Sequence, residues 1–179
     1  ADKGEFCFNN NKNNTVKMKV ALSTTGIEDA YKNLNTELAG WDFEKSVANA
    51  KAVWNKALSV IDAEGTEEQK QIFYTGLYRN FIQPNNLANA DGTYSGTDFS
   101  VHKANDGKHY STFSLWDTYR ATHPLYTLPA PAKDAAFINS MLRQYDTYGY
   151  LPIWQLWGDE NYCMIGNHAI PVIADAMLK

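Results

Sequence analysis

Apolar residues at helical spacing dominate the middle of this chain. Between Asp42 and Gly65 they recur every three or four positions, at Phe43, Val47, Ala50, Trp54, Leu58 and Ile61. This spacing places them on one face of an α-helix, and Asp42 is a typical N-cap residue. The same period predicts helices over 27–38, after the capping box of Thr66 and Gln69, and near Ser114, Asp134 and Pro171. The sequence therefore predicts a mainly α fold.

A small β portion is predicted at the N-terminus. Residues 16–22 alternate apolar with polar, Phe6 and Phe8 have the same spacing, and an Asn/Lys-rich turn lies between them. The pattern predicts a β-hairpin with one buried face. Because two strands alone are marginal in water, we expect a larger sheet in residues that precede this chain. We expect the chain to be part of a longer polypeptide, because its last helical pattern has no stop signal.

The order of the predicted helices favours an α/α toroid. Consecutive amphipathic helices are joined by alternately short and long loops, with irregular stretches at 85–110 and 151–167. In a toroid the loops at one rim form a pocket. No internal repeat accompanies the helices, so this prediction depends on their order alone.

Charge and motifs exclude several functions. The net charge is −4 and no Lys/Arg-rich run occurs, which argues against a nucleic-acid partner. No apolar stretch approaches the roughly 20 residues of a transmembrane segment. The four histidines have no HExxH spacing, and no GxSxG or GxxxxGK motif occurs. Cys7 and Cys163 are far apart, and we expect two buried thiols rather than a disulfide.

The segment 111–126 contains the strongest candidate site. It places five aromatic or imidazole rings, among them Trp116, around the acid Asp117 and the base Arg120. Flat apolar rings beside hydrogen-bonding groups suit a sugar. A structural alternative also fits, because Ser114 and Asp117 have capping-box spacing and Arg120 can pair with Asp117 as an exposed i,i+3 ion pair.

A second candidate lies at 151–168. Trp154 and Trp157 precede Glu160, and His168 stands before a helix. Either tryptophan can floor a sugar subsite, with Glu160 binding hydroxyls or acting as a general acid. Asp117 and Glu160 then form a candidate carboxylate pair for an inverting glycosidase. The alternative is an acidic surface turn beside two tryptophans at the edge of the core.

The block Phe113-Ser-Leu-Trp-Asp-Thr-Tyr-Arg120 is the most specific of several sequence blocks that occur along nearly the whole chain. The others, in chain order, are Asn33-Leu-Asn-Thr-Glu37, Trp41-Asp-Phe43, Phe73-Tyr-Thr-Gly-Leu-Tyr-Arg79, Asp91-Gly-Thr-Tyr94, the remainder of 110–128, Leu151-Pro-Ile-Trp154 and Cys163-Met-Ile-Gly166. In these blocks, taken in order, the chain resembles glycoside hydrolase family 92, the bacterial calcium-dependent exo-α-mannosidases.

The resemblance implies a domain plan. Residues 1–26 are expected to end an N-terminal β-sandwich, residues 27–64 to form linker helices, and residues 65–179 to begin a truncated (α/α)6 toroid. Trp116, Asp117 and Arg120 match the mannose-binding block, so their implied role is to contact a terminal mannose. The general acid, the base and most Ca²⁺ ligands of such enzymes are expected beyond Lys179, which leaves no metal ligand assigned in this chain.

The expected function is therefore that of a fragment of an inverting exo-α-mannosidase acting on α-1,2-linked glycans, with the isolated chain inactive. Its expected partners are a mannose-containing glycan and the remainder of its own polypeptide, in an extracytoplasmic location. Two alternatives stay open: a non-catalytic carbohydrate-binding or structural fragment, and a self-contained α/α glycosidase using Asp117 and Glu160. The resemblance assigns no role to Glu160 or His168.

Overall fold

The structure is a computed structural model that describes residues 15–179, which form seven helices and seven short strands. The helices are α1 (Ile27–Glu37), α2 (Phe43–Leu58), α3 (Glu67–Ile82), α4 (Leu115–Thr118), α5 (Thr122–Tyr126), α6 (Pro131–Tyr148) and α7 (Ala169–Leu178). The strands are β1 (Asn85–Asn86), β2 (Thr93–Ser95), β3 (Val101–Lys103), β4 (Tyr110–Ser111), β5 (Phe113–Ser114), β6 (Trp154–Leu156) and β7 (Asp159–Glu160). The predicted class, mainly α with a small β portion, is confirmed.

Local signals set most helix ends. The Asp42 carboxylate accepts the Lys45 N–H at the start of α2. Thr66 and Gln69 form the predicted capping box at the start of α3. Helix α6 begins at Pro131, earlier than the predicted start near Asp134, because proline is favoured in the first turn of a helix. It ends at Gly149, whose φ of 86° is the left-handed conformation that favours glycine.

The hydrophobic core lies between the last four helices and β5. Helices α5, α6 and α7 contact one another pairwise. Seven buried residues form the core cluster: Phe113, Leu115, Tyr126, Phe137, Met141, Ala169 and Val172. Helix α3 joins this core through Phe81, which packs against the cluster, and its Leu77 is also buried. The candidate block 111–126 is therefore fixed on the best-packed part of the described chain.

Three small antiparallel sheets connect the loops. Strands β1 and β4 pair, β2 and β3 pair, and β5, β6 and β7 form a sheet in that order. The predicted loop 151–167 thus contains a hairpin. Its turn residues Trp157 and Gly158 have φ values of 54° and 95°, as a tight two-residue turn with positive φ requires. The sheet brings the two candidate segments of the sequence together, since Ser114 pairs with Trp154.

The N-terminal region of the described chain differs from its prediction in part. Phe6 and Phe8 lie outside the described residues. The predicted strand at 16–22 is wrong, because these residues belong to no helix or strand in the described part and their large apolar side chains are exposed. Helix α1 forms as predicted, whereas α2 ends at Leu58 and leaves the predicted helical residue Ile61 outside it; neither helix contains a buried residue. Exposed apolar side chains, including Trp41 and Phe43, line a cavity of about 710 Å³ beside residues 15–20.

Cys163 is exposed, so the prediction that it is a buried thiol is wrong. No helix among residues 15–179 is long and apolar enough to cross a membrane.

Candidate functional site

The junction between β5 and α4 presents the candidate sugar-binding side chains. Phe113 and Leu115 are fully buried at this junction, with 1% and 0% exposure. The next side chains turn outward: Trp116 is 43% exposed, and Asp117 and Arg120 are also exposed. Because the buried residues anchor the backbone on the core, the chain holds an indole, a carboxylate and a guanidinium on a rigid support. Such a support is common for binding groups.

The structural alternative for Asp117 is not realised. Ser114 is the N-cap residue of α4, but its side chain caps no backbone N–H. Its hydroxyl instead donates a hydrogen bond to Oδ2 of Asp117. Within residues 15–179, no ion pair joins Asp117 to Arg120, so the proposed i,i+3 pair is absent as well. Asp117 keeps acceptor capacity, and the Arg120 donors face solvent.

A ring cluster joins the two candidate segments. The imidazole of His168 stacks on the Tyr119 ring, with centroids 4.3 Å apart and planes at 16°. The same imidazole meets the Trp116 indole edge to face at 5.8 Å and 68°. The structure therefore brings Trp116 and His168 together although they are far apart in sequence. Tyr119 belongs to the ring-rich block, but its position between α4 and His168 was not predicted.

Glu160 is buried and hydrogen-bonded rather than exposed in a surface turn. It is 4% exposed, so the surface-turn interpretation is wrong. Its two carboxylate oxygens accept the backbone N–H groups of Ile153 and Trp154, at 2.8 and 2.9 Å. These bonds tie β7 to the segment leading into β6. Trp154 is half-buried, whereas Trp157 is 62% exposed.

The remaining histidines lie apart from the ring cluster. His102 pairs with Asp98 at 2.9 Å, and His123 lies 3.8 Å from Asp134 in the core. The His109 ring stacks on the Tyr94 ring, with the ring centroids 3.7 Å apart. Burial lowers the pKa of His109 from 6.5 to about 3.

No calcium site built on three or more clustered acidic side chains occurs among the described residues. Across residues 15–179, no three His, Cys, Asp or Glu side chains are grouped closely enough to hold a metal ion. Calcium prefers six to eight oxygen ligands, commonly including carboxylates. This part of the chain therefore supplies no carboxylate cluster of the kind that many such sites use.

Solved structures resemble this chain closely. One is the family GH92 α-mannosidase BT3965 from Bacteroides thetaiotaomicron, at 37% identity and a TM-score of 0.84, with 87% of this chain and 21% of that chain covered. A second structure of BT3965 contains mannoimidazole and matches with a TM-score of 0.83 at the same identity, covering 88% of this chain and 21% of that one. The inverting mannosidase BT2199 from the same species matches at 33% identity and a TM-score of 0.81, with 87% and 21% coverage.

The chain spans about a fifth of the length of these solved relatives. No curated protein matches it. The sequence profile described as "Glycosyl hydrolase family 92 catalytic domain" matches residues 29–179, which is most of the chain. With that match and relatives at 33% and 37% identity, this chain belongs to glycoside hydrolase family 92.

Proposed function

We propose that the longer protein containing this chain is an inverting exo-α-mannosidase that removes terminal α-mannose, α-1,2-linked in particular, from glycans. The observation that carries the proposal is the exposed Trp116, Asp117 and Arg120 set on a family 92 fold. A relative at 37% identity has been solved with mannoimidazole, and another is described as an inverting mannosidase, which supports the same substrate and stereochemistry here.

Each of the three side chains has a role that its chemistry suits. The Trp116 indole offers a flat apolar face on which the C–H face of a mannose ring can stack. The Asp117 carboxylate accepts hydrogen bonds from sugar hydroxyls, and Ser114 restricts its orientation. The Arg120 guanidinium donates to the ring or hydroxyl oxygens. These residues bind the sugar and do not transfer protons in the proposed reaction.

The proposed hydrolysis uses two carboxyl groups outside residues 1–179. One protonates the leaving oxygen, while the other activates a water molecule on the opposite face of the sugar. We place the calcium site of the enzyme beyond this chain as well. The isolated 179 residues are accordingly proposed to be inactive.

The proposed architecture follows the family plan. Residues 1–26 end a β-sandwich, residues 27–64 are linker helices, and residues 65–179 are the first part of an (α/α)6 toroid. The exposed apolar faces of α1 and α2 support a location between two larger bodies, because the described residues leave these faces uncovered. An extracytoplasmic location suits an enzyme that acts on glycans outside the cell.

One alternative is weakened by the geometry. A self-contained glycosidase needs Glu160 as a free acid or base, yet both of its oxygens accept backbone N–H groups and the side chain is buried. The other alternative, a non-catalytic carbohydrate-binding or structural fragment, lacks turnover even in the full-length protein, so an activity measurement separates it from the proposal.

The test is mannose release from α-1,2-mannobiose by the full-length protein and by residues 1–179, each with calcium and with chelator. The proposal predicts calcium-dependent release by the full-length protein, β-mannose as the first product by NMR, and no release by the fragment. Binding of mannose without turnover by the full-length protein would establish the non-catalytic alternative. Release by residues 1–179 would place the catalytic groups in this chain.

A further inference from the structure

The imidazole of His168 is held between two aromatic rings of α4 and its C-cap. Its face lies on Tyr119, with centroids 4.3 Å apart and planes inclined by 16°, and it meets Trp116 at 5.8 Å and 68°. Offset-stacked and edge-to-face geometries are the favourable ones for aromatic pairs. His168 is thus the one described residue in ring contact with both the exposed indole and its neighbouring tyrosine.

Gly166 leaves the space that the imidazole occupies. A Cβ atom at this position would lie 2.4 Å from Nε2 of His168, closer than real contacts allow. Nε2 is buried and has no hydrogen-bond partner among the described residues. The imidazole is therefore held by ring packing and by the absence of a side chain at Gly166, and not by a hydrogen bond at this nitrogen.

The backbone on both sides of the cluster is fixed to the core. His168 is followed by Ala169, which is fully buried at the start of α7, and the His168 carbonyl accepts the Val172 N–H. Tyr119 packs against the core cluster from the other side. Of the three rings, the Trp116 indole is exposed and the other two are half-buried, so the indole depends most on a neighbour for its orientation.

We infer that His168 is a positioning residue for mannose recognition, holding the Trp116 indole in the orientation in which a sugar ring can stack on it. The inference builds on the proposed function and gives a role to a residue that the family resemblance leaves without one. An indole fixed before binding loses less conformational freedom when the sugar arrives, so the affinity rises. A fixed indole helps to bind the substrate and the transition state alike. Loss of this positioning should therefore raise KM more than it lowers kcat.

Two substitutions in the full-length protein separate the ring from its nitrogens. His168→Asn keeps a polar group near the position of Nδ1 but removes the ring. His168→Phe keeps a ring for both contacts and removes the nitrogens. We expect His168→Asn to raise KM for α-1,2-mannobiose about 3- to 10-fold with kcat nearly unchanged, the range that an aromatic pair supplies. His168→Phe should retain most of the wild-type affinity. The opposite order, with Asn retaining affinity and Phe losing it, would overturn the inference and make the imidazole a hydrogen-bonding contact.

A glycine pair provides a matched control. Gly166→Ala places a methyl group against the imidazole, whereas Gly149→Ala, at a φ of 86° and with nothing within 4 Å of its Cβ, adds a methyl group to open space. Both glycines have positive φ, so alanine strains the backbone at both. The inference requires Gly166→Ala to raise KM and Gly149→Ala to leave it unchanged. An equal change in the two variants would assign the effect to backbone strain.

Fluorine NMR of protein labelled with fluorotryptophan gives a readout that needs no turnover. The Trp116 resonance is assigned by its loss in Trp116→Phe. In His168→Asn it should shift and broaden while the other tryptophan resonances keep their positions, and His168→Phe should reverse the broadening. An unchanged Trp116 resonance would refute the positioning role even in an active enzyme. If the Trp116 resonance changes in His168→Asn but the full-length wild-type protein releases no mannose, the proposed function is refuted and the ring contact stands.

Discussion

The Ser114 hydroxyl donates its hydrogen bond to the Asp117 carboxylate and caps no N–H of the helix that follows. The spacing of these two residues is that of a capping box, but the contact between them is of a different kind. A capping residue stabilises a helix, whereas this bond restricts the orientation of an exposed acid. The difference separates a structural role for Asp117 from a binding role and can be measured.

Ser114→Ala should weaken sugar binding without weakening the fold. Loss of a real N-cap costs about 1 kcal/mol of stability, and Ser114 supplies no such cap. We expect the melting temperature of the full-length protein to stay within experimental error, and kcat/KM for α-1,2-mannobiose to fall about 2- to 10-fold, as for the loss of one modest hydrogen bond. A lower melting temperature with unchanged kcat/KM would restore the capping interpretation.

Thr66→Ala should weaken the fold without weakening sugar binding. Thr66 accepts the Gln69 N–H, and Gln69 accepts the Thr66 N–H in return, so the substitution removes a real capping box. The free energy of unfolding should fall by about 1 kcal/mol with KM unchanged. Thr36→Ala serves as the control, because the Thr36 hydroxyl bonds to a carbonyl of its own helix and caps nothing. Equal losses in the two variants would show that the box contributes no stability.

Glu160→Gln should destabilise the protein. In the wild type one carboxylate oxygen accepts the N–H of Ile153 and the other accepts the N–H of Trp154. A glutamine keeps one oxygen as an acceptor, so its NH₂ group faces the second N–H donor. Leaving a buried donor unsatisfied costs about 1–3 kcal/mol, and urea denaturation should detect it. Glu64→Gln, at an exposed acid, is the control. Abolished turnover with unchanged stability would instead identify Glu160 as a reacting group.

His109 should contribute a stability that depends on pH. Burial, assisted by the positive charge of Arg143, lowers the pKa of His109 from 6.5 to about 3 in the folded protein. Between these values the unfolded chain binds a proton that the folded chain does not. The contribution of neutral His109 to the free energy of unfolding is therefore complete above pH 6.5. It is lost as the pH falls toward 3, by roughly 1.4 kcal/mol per pH unit.

The measurement is urea denaturation of the wild-type protein and of His109→Phe between pH 4 and pH 7. Phenylalanine keeps a ring to stack on Tyr94, 3.7 Å away in the wild type, and removes the titrating group. The variant should lose less stability than the wild type as the pH falls. Parallel curves would show that His109 does not titrate with the expected shift.

Local signals explain what was predictable from the sequence. Asp42, Thr66 and Gly149 have side-chain or backbone properties that stop or start a helix within a few residues, and the structure uses all three. The aromatic block around Asp117 was likewise visible, because its residues are adjacent in sequence. Helix order, however, does not establish how the helices close into a larger body.

Long-range contacts explain what was missed. The hairpin of β6 and β7 turns at Trp157, a bulky residue at positive φ that carries no usual turn signal. The burial of Glu160 depends on backbone groups that the hairpin brings to it, so an acid in a polar stretch looked like a surface residue. The contact of His168 with Trp116 and Tyr119 likewise follows from the packing of α7 against the core, which no periodicity shows.

The most direct test of the central claim is the affinity of the full-length protein for mannose when Asp117 is changed to Asn. The substitution keeps the shape and removes the charge of an exposed side chain, so the fold should be unaffected. Hydrogen bonds to a charged group contribute about 1.5–3 kcal/mol, which corresponds to roughly 10- to 150-fold weaker binding by calorimetry. Unchanged affinity in a folded Asp117→Asn protein would contradict the assignment of Trp116, Asp117 and Arg120 as the mannose-binding set.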